Sequence, residues 1–182
     1  PKVMASVAGH PFLSYLLQQV AEAGLSRVVL CTGYLAEQVR EELGESLFGL
    51  EIDYSMESAP LGTGGAIRLA LDRVPSSPVL VMNGDSFCET QLANLFVAYD
   101  QALTRCPTPA VLTLAEVPDT LRYGRVEADS QNRIVAFREK GISGPGKVNA
   151  GIYLLHRSLI ESLPSGESIS LERDLFSNWL AA

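Results

Sequence analysis

The chain has 182 residues, 47% of them hydrophobic and 19% charged, with a formal net charge of −7. That is the length of one ordinary domain, which buries about 70% of its unfolded surface and needs no disulfide or metal staple. No basic stripe is offered to nucleic acid, no apolar run reaches the roughly 18 residues of a membrane span, and the scattered Cys31, Cys88 and Cys106 form neither a disulfide framework nor a zinc pattern.

In chain order, residues 11–23 place Phe12, Tyr15, Leu16, Val20 and Ala23 at helical spacing, and Gly24 is the stop. Residues 27–32 are a β-branched run that predicts a buried strand. Residues 35–43 predict a second helix with Glu37, Glu41 and Glu42 on its wet side. Residues 51–55 alternate as a strand does, and Gly64 or Gly65 opens a helix through Leu71. Residues 78–82, a short apolar run after Pro78, predict a strand buried in a parallel sheet. Residues 90–104 predict a helix with Thr90 as its N-cap.

After the breakers Pro107 and Pro109 the grammar changes. Residues 110–117 predict a strand, and residues 124–128 and 133–138 a hairpin turning at Asp129-Ser130-Gln131-Asn132. Residues 148–155 predict another strand and residues 171–180 a last helix. The connector Gly141-Ile142-Ser143-Gly144-Pro145-Gly146 holds three glycines in six residues, which predicts a loop that stays mobile until a ligand orders it. The expected fold class is α/β: a Rossmann-like mixed, mainly parallel sheet covered by helices, with an antiparallel hairpin insertion. His10 and His156 have no partners at ligand spacing and read as structural; Cys31 and Cys88 read as small core residues.

Four segments carry candidate chemistry. Asn83-Gly84-Asp85 closes the strand at 78–82, and the carboxyl ends of such strands are where ligands bind. A carboxylate there can hold Mg²⁺ on a phosphate; the plain alternative is a turn cap. Leu61-Gly62-Thr63-Gly64-Gly65-Ala66 lies between a strand and a helix. It either lets backbone N–H groups approach an anionic ligand or is only a tight turn. It is neither G-x-G-x-x-G nor a Walker loop. Arg138-Glu139-Lys140 is a charged cluster, with Lys140 suited to a phosphate and Glu139 to a sugar hydroxyl, or merely a solvated face. Asn149-Ala150-Gly151 inside a strand marks close ligand approach or a β-bulge.

Together and in this order, these segments resemble the sugar-phosphate nucleotidyltransferase family. The matching residues are Pro1-Lys2-Val3-Met4 with Val7-Ala8-Gly9-His10-Pro11, then Leu61 to Ala66, Asn83-Gly84-Asp85, Tyr123-Gly124-Arg125-Val126, Glu139-Lys140 and Asn149-Ala150-Gly151. Gly64 and Gly65 after Thr63, Gly141 after Lys140, and Ser170-Leu171-Glu172-Arg173-Asp174-Leu175-Phe176 are most similar to the branch acting on D-glycero-α-D-manno-heptose 1-phosphate with GTP.

The resemblance implies nucleotidyl transfer in the cytoplasm, within nucleotide-sugar biosynthesis for a cell-surface polysaccharide. Catalytic roles fall to Lys2, Asp85 and Lys140, with Asp85 the ligand of Mg²⁺. The nucleotide is expected against Glu57, Gly62, Thr63 and Gly64, where the Glu57 carboxylate suits the N1 and N2 donors of guanine. The sugar is expected against Gly124, Glu139 and Asn149. The partners are a nucleoside triphosphate and a sugar 1-phosphate, without nucleic acid or membrane, and a homo-oligomer is compatible with this reading. Residues 1–182 are expected to form a single nucleotidyltransferase domain. The family's glycine-rich nucleotide loop is expected before Pro1 and its second metal-binding aspartate after Ala182. Other readings are transfer to mannose 1-phosphate, a uridylyl- or thymidylyltransferase, and a non-catalytic nucleotide-sugar-binding homologue. The missing G-x-G-x-x-G counts against an NAD dehydrogenase.

Overall fold

The computed structural model describes residues 2–181, so Pro1 and Ala182 lie outside the described residues. A 3₁₀ turn at Lys2–Met4 leads into a two-stranded ribbon, β1 (Ser6–Val7) and β2 (His10–Pro11). Helix α1 (Phe12–Glu22) buries Leu13, Leu16, Leu17 and Val20, the i, i+3, i+4, i+7 stripe of an amphipathic helix. Gly24, at φ 79°, ends it by donating to Ala21 O at 2.9 Å. Strand β3 (Arg27–Thr32), α2 (Ala36–Leu43), β4 (Ser46–Leu47) and β5 (Leu50–Met56) follow. Next come α3 (Gly62–Ala70), a 3₁₀ turn at Leu71–Arg73, β6 (Val79–Met82) and α4 (Leu92–Leu103). The remaining strands are β7 (Ala110–Val117), β8 (Arg125–Ala128), β9 (Ile134–Arg138) and β10 (Gly146–Leu155). Helix α5 (Arg157–Glu161), a π-helical stretch at Leu171–Phe176 and α6 (Ser177–Ala181) complete the order.

The mixed α/β class is as expected, but parallel pairing is confined to β3 and β5, in register from Arg27 opposite Glu51 to Thr32 opposite Met56. Every other strand pairing is antiparallel among the described residues. The long strand β10 carries β7 on one edge and both β6 and β8 on the other, which makes β6 part of the antiparallel sheet, while β3 pairs with β5 alone. β3 and β6 are therefore edge strands, and both wall one open cavity of about 1170 Å³. The apolar runs at 27–32 and 78–82, expected to be fully buried, are mostly half-buried because their free edges and side chains meet this space.

The core has two parts. One joins Leu13, Leu16 and Leu17 of α1 to Leu50 and Ile52 of β5, Leu92, Leu95 and Tyr99 of α4, and Ile152 and Leu154 of β10. The other gathers Val79, Tyr153, Leu155, Ile160, Leu171 and Phe176. The helices thus bridge the two sheets that the cavity separates.

Three local expectations are corrected. Helix α4 starts at Leu92 after Gln91, without a side-chain cap. Thr90 lies outside the helix, and its carbonyl accepts the Gln19 amide at 2.9 Å. The last helix is split, with wide π turns through Leu171–Phe176 before α6. Cys31 is accessible from the cavity and not a core residue. Atoms packed round its sulfur push the thiol up to about 11, and the Glu57 carboxylate adds to this. The histidines are structural: His156 accepts Ser158 N–H at the start of α5, and His10 stands edge-on to Tyr15.

Candidate functional site

Asn83-Gly84-Asp85 follows β6 directly. Asn83 N–H donates to Gly151 O at 2.8 Å, which fixes the turn to the middle of β10. Asp85 is exposed, and its carboxylate accepts only the Ser86 hydroxyl, at 3.4 Å, among the described residues. It caps nothing. An exposed carboxylate at a strand end whose one partner is a distant hydroxyl is able to take an external cation. Val3 packs 3.6 Å from where a Cβ on Gly84 would sit, so the turn carrying Lys2 abuts the turn carrying Asp85.

The glycine-rich segment is shaped by the chain itself. Glu57 Oε2 accepts Leu61 N–H at 2.7 Å and fixes the entry to α3. Ile169 N–H donates to Leu61 O and Gly64 N–H to Ile169 O, both at 2.8 Å. Thr63 Oγ1 accepts Leu171 N–H at 2.9 Å. A Cβ on Gly62, at φ 67°, would lie 2.6 Å from Ile169 O, and one on Gly65 would lie 2.4 Å from Glu167 O. The expected cause of the glycines, close approach of a ligand, is replaced at these positions by close approach of residues 167–171. Among the described residues Glu57 Oε1 accepts no hydrogen bond and the Thr63 hydroxyl donates none, and both residues line the cavity.

A polar network lies beside this loop. Asn149 Nδ2 donates to Tyr153 Oη at 2.8 Å and to Glu172 Oε1 at 2.9 Å, and Tyr153 Oη donates to Glu172 at 3.3 Å. Burial, and then the Glu172 charge, keep the Tyr153 phenol protonated far above its ordinary range. Asn149 Oδ1 accepts Gly151 N–H at 2.9 Å, where the register of β10 against β7 shifts. Gly151 is thus a β-bulge, at φ 77°, with the Asn83 side chain filling the space a Cβ would need.

Strand β9 ends at Arg138, which pairs with Glu127 at 3.0 and 2.9 Å, so Glu139 and Lys140 both lie past the strand, exposed. Gly124 faces the same end: a Cβ on it would lie 3.1 Å from Arg138 O. Residues 141–146, expected to stay mobile until a ligand orders them, carry hydrogen bonds to the segment that precedes β8. Asp119 Oδ1 accepts Gly144 N–H at 2.9 Å, Thr120 Oγ1 donates to Ile142 O at 2.7 Å, and Gly141 N–H donates to Leu121 O at 3.1 Å.

The cavity collects Glu57, Gly62, Thr63 and Asp85, and it adds Ser170 and Glu172, which sequence reasoning did not assign to the site. Asn149 reaches that wall through Glu172. Gly64 points away from it onto Ile169, and Gly124, Glu139 and Lys140 form a second group at the β8–β9 end. Lys2 and Lys140 make no ion pair among the described residues, which leaves two exposed ammonium groups for anions on a chain that is acidic overall.

A family model described as "Nucleotidyl transferase" matches residues 1–178. Mannose-1-phosphate guanylyltransferase of Mycobacterium tuberculosis is 37% identical over 183 residues, covering all of this chain and 50% of the relative. D-glycero-alpha-D-manno-heptose 1-phosphate guanylyltransferase of Aneurinibacillus thermoaerophilus is 33% identical over 177 residues, covering 96% of this chain and 74% of the relative. Among solved structures, HddC from Yersinia pseudotuberculosis superposes with a TM-score of 0.84 at 30% identity, covering 97% of this chain and 76% of that one. A structure of the same protein complexed with GMP-PN gives a TM-score of 0.83. The chain thus spans half the length of the mycobacterial relative and about three quarters of the heptose-phosphate relative.

Proposed function

The chain belongs to the nucleotidyl transferase family, and from that premise we propose that it guanylylates a sugar 1-phosphate. D-glycero-α-D-manno-heptose 1-phosphate is the first choice of acceptor and GTP the donor, and residues 1–182 act as a single nucleotidyltransferase domain. The observation that carries the reading is the exposed Asp85 carboxylate on the same cavity as Glu57, Gly62 and Thr63. The heptose-phosphate and mannose-phosphate relatives, both guanylyltransferases by name, support the choice of base.

In this reading a phosphate oxygen of the sugar 1-phosphate attacks the α-phosphorus of GTP in line. The new P–O bond forms as the bond to pyrophosphate breaks. The nucleophile is already ionised, so no general base is needed, and the chain's task is to hold two anions together. Lys2 meets the triphosphate and Lys140 the sugar phosphate. Glu57 Oε1 accepts from the guanine edge, while Gly62 and Thr63 line base and ribose. Gly124, Glu139 and Asn149 face the sugar. Among the described residues no three His, Cys, Asp or Glu side chains come together as a metal cage. Mg²⁺ prefers one or two carboxylates plus substrate phosphates and water, and the exposed Asp85 is the residue that would hold it. The ion, when bound, neutralises charge on the phosphates. No described helix is long and apolar enough to cross a membrane.

Transfer to mannose 1-phosphate is the second reading, favoured by the mycobacterial relative's identity of 37%. A non-catalytic homologue is disfavoured because Asp85 and Lys140 are both present. The test is pyrophosphate release by the full-length protein across a panel of nucleotides and sugar 1-phosphates. GTP with a manno-configured acceptor is expected to lead, and Asp85→Asn to cut turnover at least ~10²-fold with folding intact. Preference for UTP, dTTP or CTP would overturn the guanylyl assignment.

A further inference from the structure

The segment between Lys140 and Asn149 is closed by one side chain. Arg125 directs Nε (3.2 Å) and Nη2 (2.9 Å) at Thr120 Oγ1, and Nη2 also lies 3.2 Å from both Ser143 O and Gly144 O. Its guanidinium meets a hydroxyl and carbonyls and makes no ion pair among the described residues, so its donors serve to tie backbone. Thr120 is fully buried and relays the bond by donating to Ile142 O. Gly146 is glycine because a Cβ there would lie 2.9 Å from Arg125 Nε. The register places Arg125 opposite Arg138 on β9 and opposite Val148 on β10. One residue of β8 is therefore paired on its two sides with the strands that flank the connector, two positions before Lys140 and one before Asn149.

We propose that Arg125 is a positioning residue whose guanidinium clasps residues 141–146 shut before substrate arrives and so sets Lys140 and Asn149 for the sugar phosphate. This rests on the assignment of Lys140 to that phosphate. The planar fork of arginine is what the site uses, since Nε and Nη2 converge on the Thr120 hydroxyl while Nη2 also reaches the Ser143 and Gly144 carbonyls, a two-nitrogen array that a single ammonium on a flexible stem does not reproduce. The loop is then a rigid wall, and sugar-phosphate binding does not have to order it.

The test compares wild type, Arg125→Lys and Arg125→Ala in the full-length protein by hydrogen exchange and steady-state kinetics with GTP and the sugar 1-phosphate. Without ligand, the amides of Gly141 and Gly144 should be protected in wild type. Their exchange should quicken in Arg125→Ala, and the KM for sugar phosphate should rise roughly tenfold, the loss of about one net hydrogen bond of preorganisation. The KM for GTP should stay within about threefold, a shift worth less than half that free energy. Arg125→Lys should fall between. Unchanged exchange in Arg125→Ala would overturn the clasp whatever the kinetics. Quicker exchange with both KM values unchanged would overturn the positioning role. Quicker exchange with the GTP KM rising instead would keep the clasp and overturn the placement of Lys140 on the sugar phosphate.

Discussion

At Gly65 a single hydrogen stands where a methyl group would meet Glu167 O at 2.4 Å and Leu61 Cβ at 2.9 Å. A backbone carbonyl cannot rotate away as a side-chain tip can, so Gly65→Ala must shift the start of α3 or residues 167–171. The expected cost is about 1–3 kcal/mol, the usual range for overpacking. Gly33 is the control: nothing lies within 4 Å of its would-be Cβ and it has no positive φ, so Gly33→Ala should be neutral or slightly stabilising. Urea denaturation of the two variants measures the difference, and equal midpoints would refute the packing account. The glycine cluster itself was legible, since glycines between a strand and a helix announce a tight loop. Its cause was not, because Glu167 and Ile169 arrive from a distant part of the chain and leave no local pattern. The same holds for Glu57, whose engagement with Leu61 N–H turns a plausible base-recognition carboxylate into a loop anchor with one oxygen spare.

Among the elements, the connector at 141–146 departs most from expectation. Composition measures only the entropy of ordering glycines; the ties that offset it come from Asp119, Thr120 and Arg125, on the far side of a hairpin. Asp119 makes the arrangement sensitive to pH. The Gly144 N–H, then the Leu121 N–H, hold its carboxyl below the usual carboxylate range. A group depressed in the folded state stabilises it fully above the ordinary pKa and loses that contribution as pH falls through the depressed value. Exchange of the Gly144 amide, corrected for intrinsic rate, should therefore accelerate from around pH 4 downward. Asp119→Asn should flatten that dependence, and a flat wild-type profile would show that the carboxylate does not hold the loop. The regular elements were more legible than this connector. The stripe of α1, its Gly24 stop, the run of β3 and the hairpin at Asp129 all rest on local periodicity or turn chemistry, and Asp129 indeed accepts Gln131 N–H and Arg133 N–H at 2.9 Å. Thr90 failed as a cap because its backbone was recruited by Gln19, from a different helix.

For the whole molecule, alternation of strand and helix through the first half predicted a mainly parallel sheet, yet among the described residues only β3 and β5 pair that way. Alternation reports the order of elements along the chain; it does not report which edges meet, and β10 took β6 for the antiparallel sheet. The outcome is two sheets bridged by α1 and α4 over an open apolar cavity of about 1170 Å³. The join between Thr63 and Leu171 has a further consequence for how the molecule is made. These residues are 108 positions apart. At ~5–20 residues per second, a ribosome delivers the second roughly 5–20 s after the first. Until then the first turn of α3 has neither the Ile169 carbonyl nor the Leu171 amide to rest on, so the nascent glycine-rich loop reaches its final shape only after residues 169–171 have emerged.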